Sequence, residues 1–247
     1  MSREHYFTNG LFPNGATVRG ASWCPDGERT LPAPALVANI LCRDHNAQLS
    51  ELDQSAIDAW ELCDDLSNMH ALRSGRPNSR WSLRQYTIDG LRFQRWCFKL
   101  MANLLFSGNY RAAPSGWRPD LRLVRRIFGV EPFDEGCGIG VLASVGEQVE
   151  NTKRLSFDMA VGRDGEQTGG VLTFRGLLRI ACSWNQPLDR AIQPPEHGGT
   201  FGHVIPPHGT VKLGHNLELR FNWSGTFAAK NNSLSREVLS RFKKKKQ

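Results

Sequence analysis

Leu41-Cys42-Arg43-Asp44-His45-Asn46-Ala47-Gln48-Leu49-Ser50-Glu51-Leu52-Asp53 carries the densest chemistry in the chain. Cys42 and His45 are spaced so that a turn and the first coil of a helix can bring a thiolate and an imidazole onto one metal ion. Asn46 stands beside that pair. Two helix starts are open here. Ser50 followed by Asp53 has capping-box character and starts a helix at Ser50; a metal grip at Cys42 and His45 starts one near Asp44. From there Leu52, Ala56, Trp60, Cys63 and Ser67 recur at three- and four-residue spacing, with Leu49, Ile57 and Leu66 widening the apolar stripe.

Upstream, residues 1–40 are rich in Gly, Pro and Asn and read as loops with a small hairpin around Thr17-Val18-Arg19. Ser2-Arg3-Glu4-His5 sets a carboxylate beside an imidazole. Downstream, Arg73 to Ser82 reads as a polar linker. A second helix is expected from Asp89, a good cap, to Ser107, with Gly108 as its stop. Its apolar residues Phe93, Trp96, Cys97, Leu100, Met101, Leu104 and Leu105 cover more than half the circumference, which makes it central to the core. Arg92, Arg95 and Lys99 form a basic stripe on it. A third, shorter helix over Pro119–Phe128 adds Arg122, Arg125 and Arg126. Each stripe reads either as a solvated face or as a ridge facing phosphates.

After Gly129 the period changes to that of strands: Leu142–Val145, Leu155–Val161, Gly170–Phe174, Leu177–Trp184 and Val211–Trp223. Leu217, Leu219, Phe221 and Trp223 alternate with polar residues, as in a half-buried antiparallel strand. A final amphipathic turn, Leu234, Val238 and Phe242, leads into Arg241–Lys246, which holds five positive charges in six residues. His197, His203, His208 and His215 lack the helical spacing of a metal-binding pair. Gly136-Cys137-Gly138-Ile139-Gly140 lacks the Gly-Lys-Ser/Thr ending of a phosphate loop and reads as a turn.

The 247 residues suffice for a sizeable core, and 40% hydrophobic with 22% charged residues is a globular composition. No apolar run approaches the ~18 residues of a membrane span, and the N-terminus has no signal-peptide pattern, so a cytoplasmic location without membrane contact is expected. Cysteines are then expected as free thiols. Cys97 and Cys182 lie in apolar segments and read as core; Cys24 and Cys42 lie in polar, turn-rich surroundings and are the better ligands. The net charge of +7, part of it from the tail, favours a polyanionic partner, DNA or RNA.

The segment Asn39-Ile40-Leu41-Cys42-Arg43-Asp44-His45-Asn46 resembles the end of the HNH (ββα-metal, treble-clef) nuclease motif, with His45 in place of the second Cys of a Cys-x-x-Cys. Glu4-His5 resembles that family's acidic-residue-plus-His pair at the end of its first strand. The wider frame, from Ser2 through Trp23-Cys24 to Leu52-Asp53, is similar to uncharacterised bacterial proteins with an HNH-like N-terminus. The resemblance implies His5 as the general base, Glu4 and Asn46 as holders of a divalent ion (Mg or Zn), and Cys24, Cys42 and His45 as ligands of a structural Zn. Phosphodiester hydrolysis uses such parts: a base to deprotonate water and a cation to neutralise developing charge.

The sequence therefore predicts an α+β fold with an HNH-like metal-binding unit over 1–55, a helical region over 56–130, an antiparallel β-rich region over 131–230 and a basic tail over 231–247. Three functions stand beside one another: a metal-dependent HNH-type nuclease with Arg92, Arg95, Lys99, Arg122, Arg125 and Arg126 against nucleic acid; a non-catalytic, zinc-stabilised nucleic-acid-binding or interaction protein; and a sheet-based small-ligand binder with its site in 138–225.

Overall fold

Asp89 ends a strand and caps the helix around which the molecule is arranged. In the computed structural model, residues 2–5, 7–76, 79–108, 110, 117–143, 151–152, 154–161, 167–188, 203–205 and 209–225 are described. The basic tail, its preceding amphipathic turn, His197 and His208 lie outside them, as do the side chains of Glu4 and His203. The chain order is β1 (Ser2–His5), β2 (Ala16–Ala21), β3 (Cys24–Leu31), β4 (Val37–Leu41), α1 (Arg43–Ser74), β5 (Arg84–Asp89), α2 (Gly90–Phe106), α3 (Leu121–Ile127), β6 (Gly138–Ala143), β7 (Leu155–Val161), β8 (Gln167–Phe174), β9 (Leu178–Ser183), β10 (His203–Ile205), β11 (Thr210–Lys212) and β12 (Leu217–Asn222). The fold is α+β, with most strand pairs antiparallel.

The Asp89 carboxylate accepts the Arg92 backbone N–H at 3.1 Å, the expected cap, and Gly108 adopts φ +69° after the helix. Inside α2, Phe93, Trp96, Cys97 and Phe98 are buried. Phe93 and Trp96 meet Phe174 of β8 edge-on at 5.4 and 5.6 Å, Phe93 meets Phe221 of β12, and Phe98 meets Trp184 just after β9. The five-stranded sheet β10-β6-β9-β8-β7, the three-stranded sheet β11-β12-β5 and α1 thus share one hydrophobic core through α2. Among the described residues no helix is long and apolar enough to cross a membrane.

Several local expectations change. The first helix starts at Arg43 and runs unbroken to Ser74, so the boundary expected at residue 55 falls inside it. Ser50 does not cap; its hydroxyl donates to the Ala47 carbonyl at 2.7 Å, the back-bond of a serine inside a helix. Residues 1–40 hold more sheet than expected: β2–β3 is the hairpin, and β1 pairs with β4. The linker is followed by β5, whose Tyr86 and Ile88 face the core. The third helix is shorter, Leu121–Ile127, capped by the Asp120 carboxylate on the Leu123 N–H at 2.6 Å. The first C-terminal strand begins earlier, at Gly138. The last splits at Gly214 into β11 and β12, and β12 runs antiparallel to β11 but parallel to β5.

Candidate functional site

β1 and β4 run antiparallel, with Ser2 opposite Leu41, Glu4 opposite Ala38 and His5 opposite Val37. α1 follows β4 after a single residue, Cys42. The β2–β3 hairpin stands between the two paired strands in the chain. Register decides which residues meet. His5 lies opposite Val37, four residues from Leu41, or ~13 Å along the strand. Asn46 sits in the first helical turn beyond Leu41, where its N–H donates to the Cys42 carbonyl at 3.0 Å. His5 and Asn46 therefore belong to opposite ends of β4. His5 is half-buried, and its Nδ1 has no hydrogen-bond partner among the described residues.

At the Cys42 end, Sγ of Cys42 lies 3.2 Å from Nδ1 of His45, as their spacing predicts, and the His45 ring rests edge-on against Phe128 at 5.2 Å. Both are exposed. Cys24 does not join them: it lies at the turn of the β2–β3 hairpin, opposite Ala21. Among the described residues no three His, Cys, Asp or Glu side chains are grouped to hold a metal ion. A structural zinc needs four ligands in a tetrahedral shell, and Cys42 with His45 supplies two. Cys24, Cys42 and His45 are not grouped on a common ion; the side chain of Glu4, expected to hold the catalytic ion with Asn46, lies outside the described residues, and the register sets its backbone opposite Ala38, toward the far end of β4 from Asn46.

The chain after β1 leads to a different polar cluster. Thr8 Oγ1 donates to Asp53 at 2.6 Å and accepts the Trp96 indole N–H at 2.8 Å; Lys99 Nζ donates to the other Asp53 oxygen at 2.7 Å. Asp53 stands two helical turns past Asn46, ~10 Å along α1. Its carboxylate is tied to the chain after β1 through Thr8, three residues beyond His5. Sequence reading took Asp53 for a capping residue and missed Thr8. The Leu52-Asp53 register after His45-Asn46 was the only signal for it.

The six basic residues expected to face phosphates turn inward or pair. Arg92 bridges Glu51 and Asp89. Arg95 Nε donates to the Ile127 carbonyl at 2.7 Å, and burial followed by Arg92 lowers its pKa. Lys99 is 3% exposed and pairs with Asp53. Arg122 and the buried Arg126 share Asp134, which the Arg126 hydrogen bond holds below the usual carboxylate range; Arg125 pairs with Glu131 at 2.9 Å. Arg126 also donates to the Trp184 carbonyl. The stripes share a helix face as spacing requires; Lys99 and Arg126 are buried and Arg95 half-buried, whereas Arg92, Arg122 and Arg125 keep exposed side chains that pair with acids at the surface.

Cys97 and Cys182 are buried as expected; burial and the neighbouring Cys182 raise the Cys97 thiol pKa well above its ordinary value. Burial also pushes Cys63 up to about 12. His215 packs against His70 at 5.3 Å and meets Ser74 Oγ at 3.0 Å, a contact between α1 and the β11–β12 turn. No protein-family model, curated protein or solved structure matches the chain.

A groove of about 720 Å³ is lined by Phe7, Phe12 and the β2–β3 hairpin of the N-terminal region. The β2–β3 hairpin forms one wall, the start of β7 another, and Leu100 and Leu104 of α2 its floor. The hairpin is bent over it by a register shift between Arg19 and Ala21, where Gly20 takes φ +73°, and Ala21 is pinned by a bridge to Tyr110. Among the described residues of 138–225, Arg154 and the start of β7 line this groove.

Proposed function

We propose that this chain is a nucleic-acid-binding protein built on a divergent HNH-type ββα unit, with the unit serving as a scaffold. The observation that carries this reading is the pairing of β1 with β4, after which α1 begins with only Cys42 between. It agrees with the arrangement implied by the Glu4-His5 and Cys42–Asn46 motifs, and the net charge of +7 suits a polyanion. Scaffold rather than nuclease is favoured by the register, which sets Glu4 opposite Ala38 and His5 opposite Val37, toward the end of β4 away from Asn46. The test is fluorescence anisotropy of a labelled ~20-mer, single-stranded and duplex, with the full chain in chelator. Binding that weakens steeply from about 50 to 200 mM salt is expected. No binding to either form at the lower salt would overturn the reading.

The second reading, a metal-dependent nuclease, is supported by His5: a half-buried imidazole at the end of β1 whose Nδ1 has no partner among the described residues. Cleavage of a labelled strand in Mg or Zn, lost by roughly 10²- to 10⁴-fold in His5→Ala, would make this the function. Binding without cleavage would leave the scaffold reading standing.

A further inference from the structure

We infer that the groove between the β2–β3 hairpin, α2 and β7 is a seat for an unpaired nucleic-acid strand. This rests on the nucleic-acid-binding reading and names the strand state it takes. Five half-buried aromatics line the groove: Phe7, Phe12, Trp23, Tyr110 and Phe157. Tyr110 and Phe157 stand 5.4 Å apart with their rings tilted. Its volume lies in the ~300–1,000 Å³ range of sites that enclose a ligand of modest size. An unpaired strand can offer the faces of its bases to recessed aromatic rings; a duplex cannot, because its base faces are stacked on one another.

Charge places the backbone of such a strand. Arg19 of β2 and Arg154, just before β7, line the groove and are exposed. Neither has an acidic partner among the described ion pairs, whereas the basic residues of α2 and α3 are committed to acids and carbonyls. Glu28 also lines the groove and stands opposite Arg19 in the hairpin register without bonding it. It opposes an anionic ligand and so supplies a sign test. The groove is continuous with the ββα unit: Phe7 and Phe12 follow His5, and the floor residues Leu100 and Leu104 follow Lys99.

The experiment measures anisotropy of a labelled oligothymidylate and of a duplex of equal length, with the full chain in chelator, across salt. The expected result is tighter binding of the single strand. Arg19→Gln with Arg154→Gln should lower the slope of log affinity against log salt by about 1–2. Trp23→Ala should weaken the single strand at least about fivefold. Glu28→Gln should strengthen it. These are exposed or half-buried positions, and unchanged melting temperatures confirm folded variants. Equal binding of duplex and single strand, or single-strand binding untouched by all of these variants, overturns the inference and points to the lysine tail. Failure of both nucleic acids to bind sinks the underlying reading instead. Binding of a fluorescent fatty-acid probe in place of the oligonucleotide, lost in Trp23→Ala, would assign the groove to a small apolar ligand and also overturn the inference.

Discussion

Asp53→Ala and Lys99→Met should have unequal effects although they remove two halves of one ion pair. Lys99 is 3% exposed and donates to Asp53 at 2.7 Å; the Asp53 side chain keeps 29% exposure and also accepts from Thr8. Removing the acid deprives a buried ammonium of a carboxylate, which costs ~3–5 kcal/mol for a fully buried pair. The partial exposure of Asp53 puts the expected loss at about 3 kcal/mol. Removing the lysine instead keeps the apolar stem in the core and leaves a carboxylate that still reaches water and the Thr8 hydroxyl, so Lys99→Met should cost no more than about 1 kcal/mol. Urea unfolding at pH 7, with unchanged dependence on denaturant, measures both, and the double variant gives their coupling. Equal losses from the two single variants would refute the asymmetry. Losses of a few tenths of a kcal/mol from both would show that Lys99 is solvated and available to phosphate.

Gly170→Val should lower the melting temperature, because a Cβ there lies 2.5 Å from the Asp158 carbonyl oxygen, 2.8 Å from the Phe157 ring and 3.1 Å from the Met101 methyl; overpacking of this kind costs ~1–3 kcal/mol or more, measurable by calorimetry. Burial, and then the neighbouring His215, lower the His70 pKa from its ordinary 6.5. The unfolded chain therefore binds the proton more readily, so this stabilisation is present above pH 6.5 and is lost as pH falls toward the folded value. His70→Gln should flatten that part of the stability profile, and identical acid limbs for variant and parent would reject the assignment. Purified protein should hold far less than one zinc per chain by elemental mass spectrometry, and Cys42→Ala should shift stability by under ~0.5 kcal/mol. One tightly held zinc that Cys42→Ala releases would reverse that view of the Cys42–His45 pair.

What the sequence made legible was local. Asp89 and Gly108 bound α2 because a cap and a left-handed glycine act within one turn. β7 was expected at Leu155–Val161 and forms there, its alternation setting one face toward the core. The Cys42–His45 contact followed from spacing alone. β5 escaped because its partner β12 lies more than 120 residues away, and only that pairing makes Tyr86 and Ile88 a strand rather than the approach to a helix. The candidate ion site depended on register. The pairing of Glu4 with Ala38 and of His5 with Val37 sets the expected acid and base toward the end of β4 away from Asn46. The basic stripes show the same limit. Periodicity says that Arg92, Arg95 and Lys99 share a face, and only packing says that Lys99 is buried on Asp53 and Arg95 tied to the end of α3 while Arg92 stays exposed beside Glu51.

The distribution of charge links the two ends of the N-terminal region. α2 holds the ββα unit through Lys99 and Trp96, which reach Asp53 and Thr8, and one residue beyond Lys99 it lays down Leu100 as groove floor. Lys99, Arg95 and Arg126 are thus structural ties, and among the described residues that line the groove the unpaired positive charge lies on Arg19 and Arg154. Asp53→Ala should therefore act on binding indirectly. By loosening Thr8 it disturbs Phe7 and Phe12 on the groove wall, so it should weaken single-strand binding while leaving the salt slope unchanged, since it removes no phosphate contact. Arg19→Gln should do the reverse, lowering the slope with no loss of stability. A change of slope in Asp53→Ala would return Lys99 to the list of phosphate ligands and with it the nuclease-like surface first expected on α2.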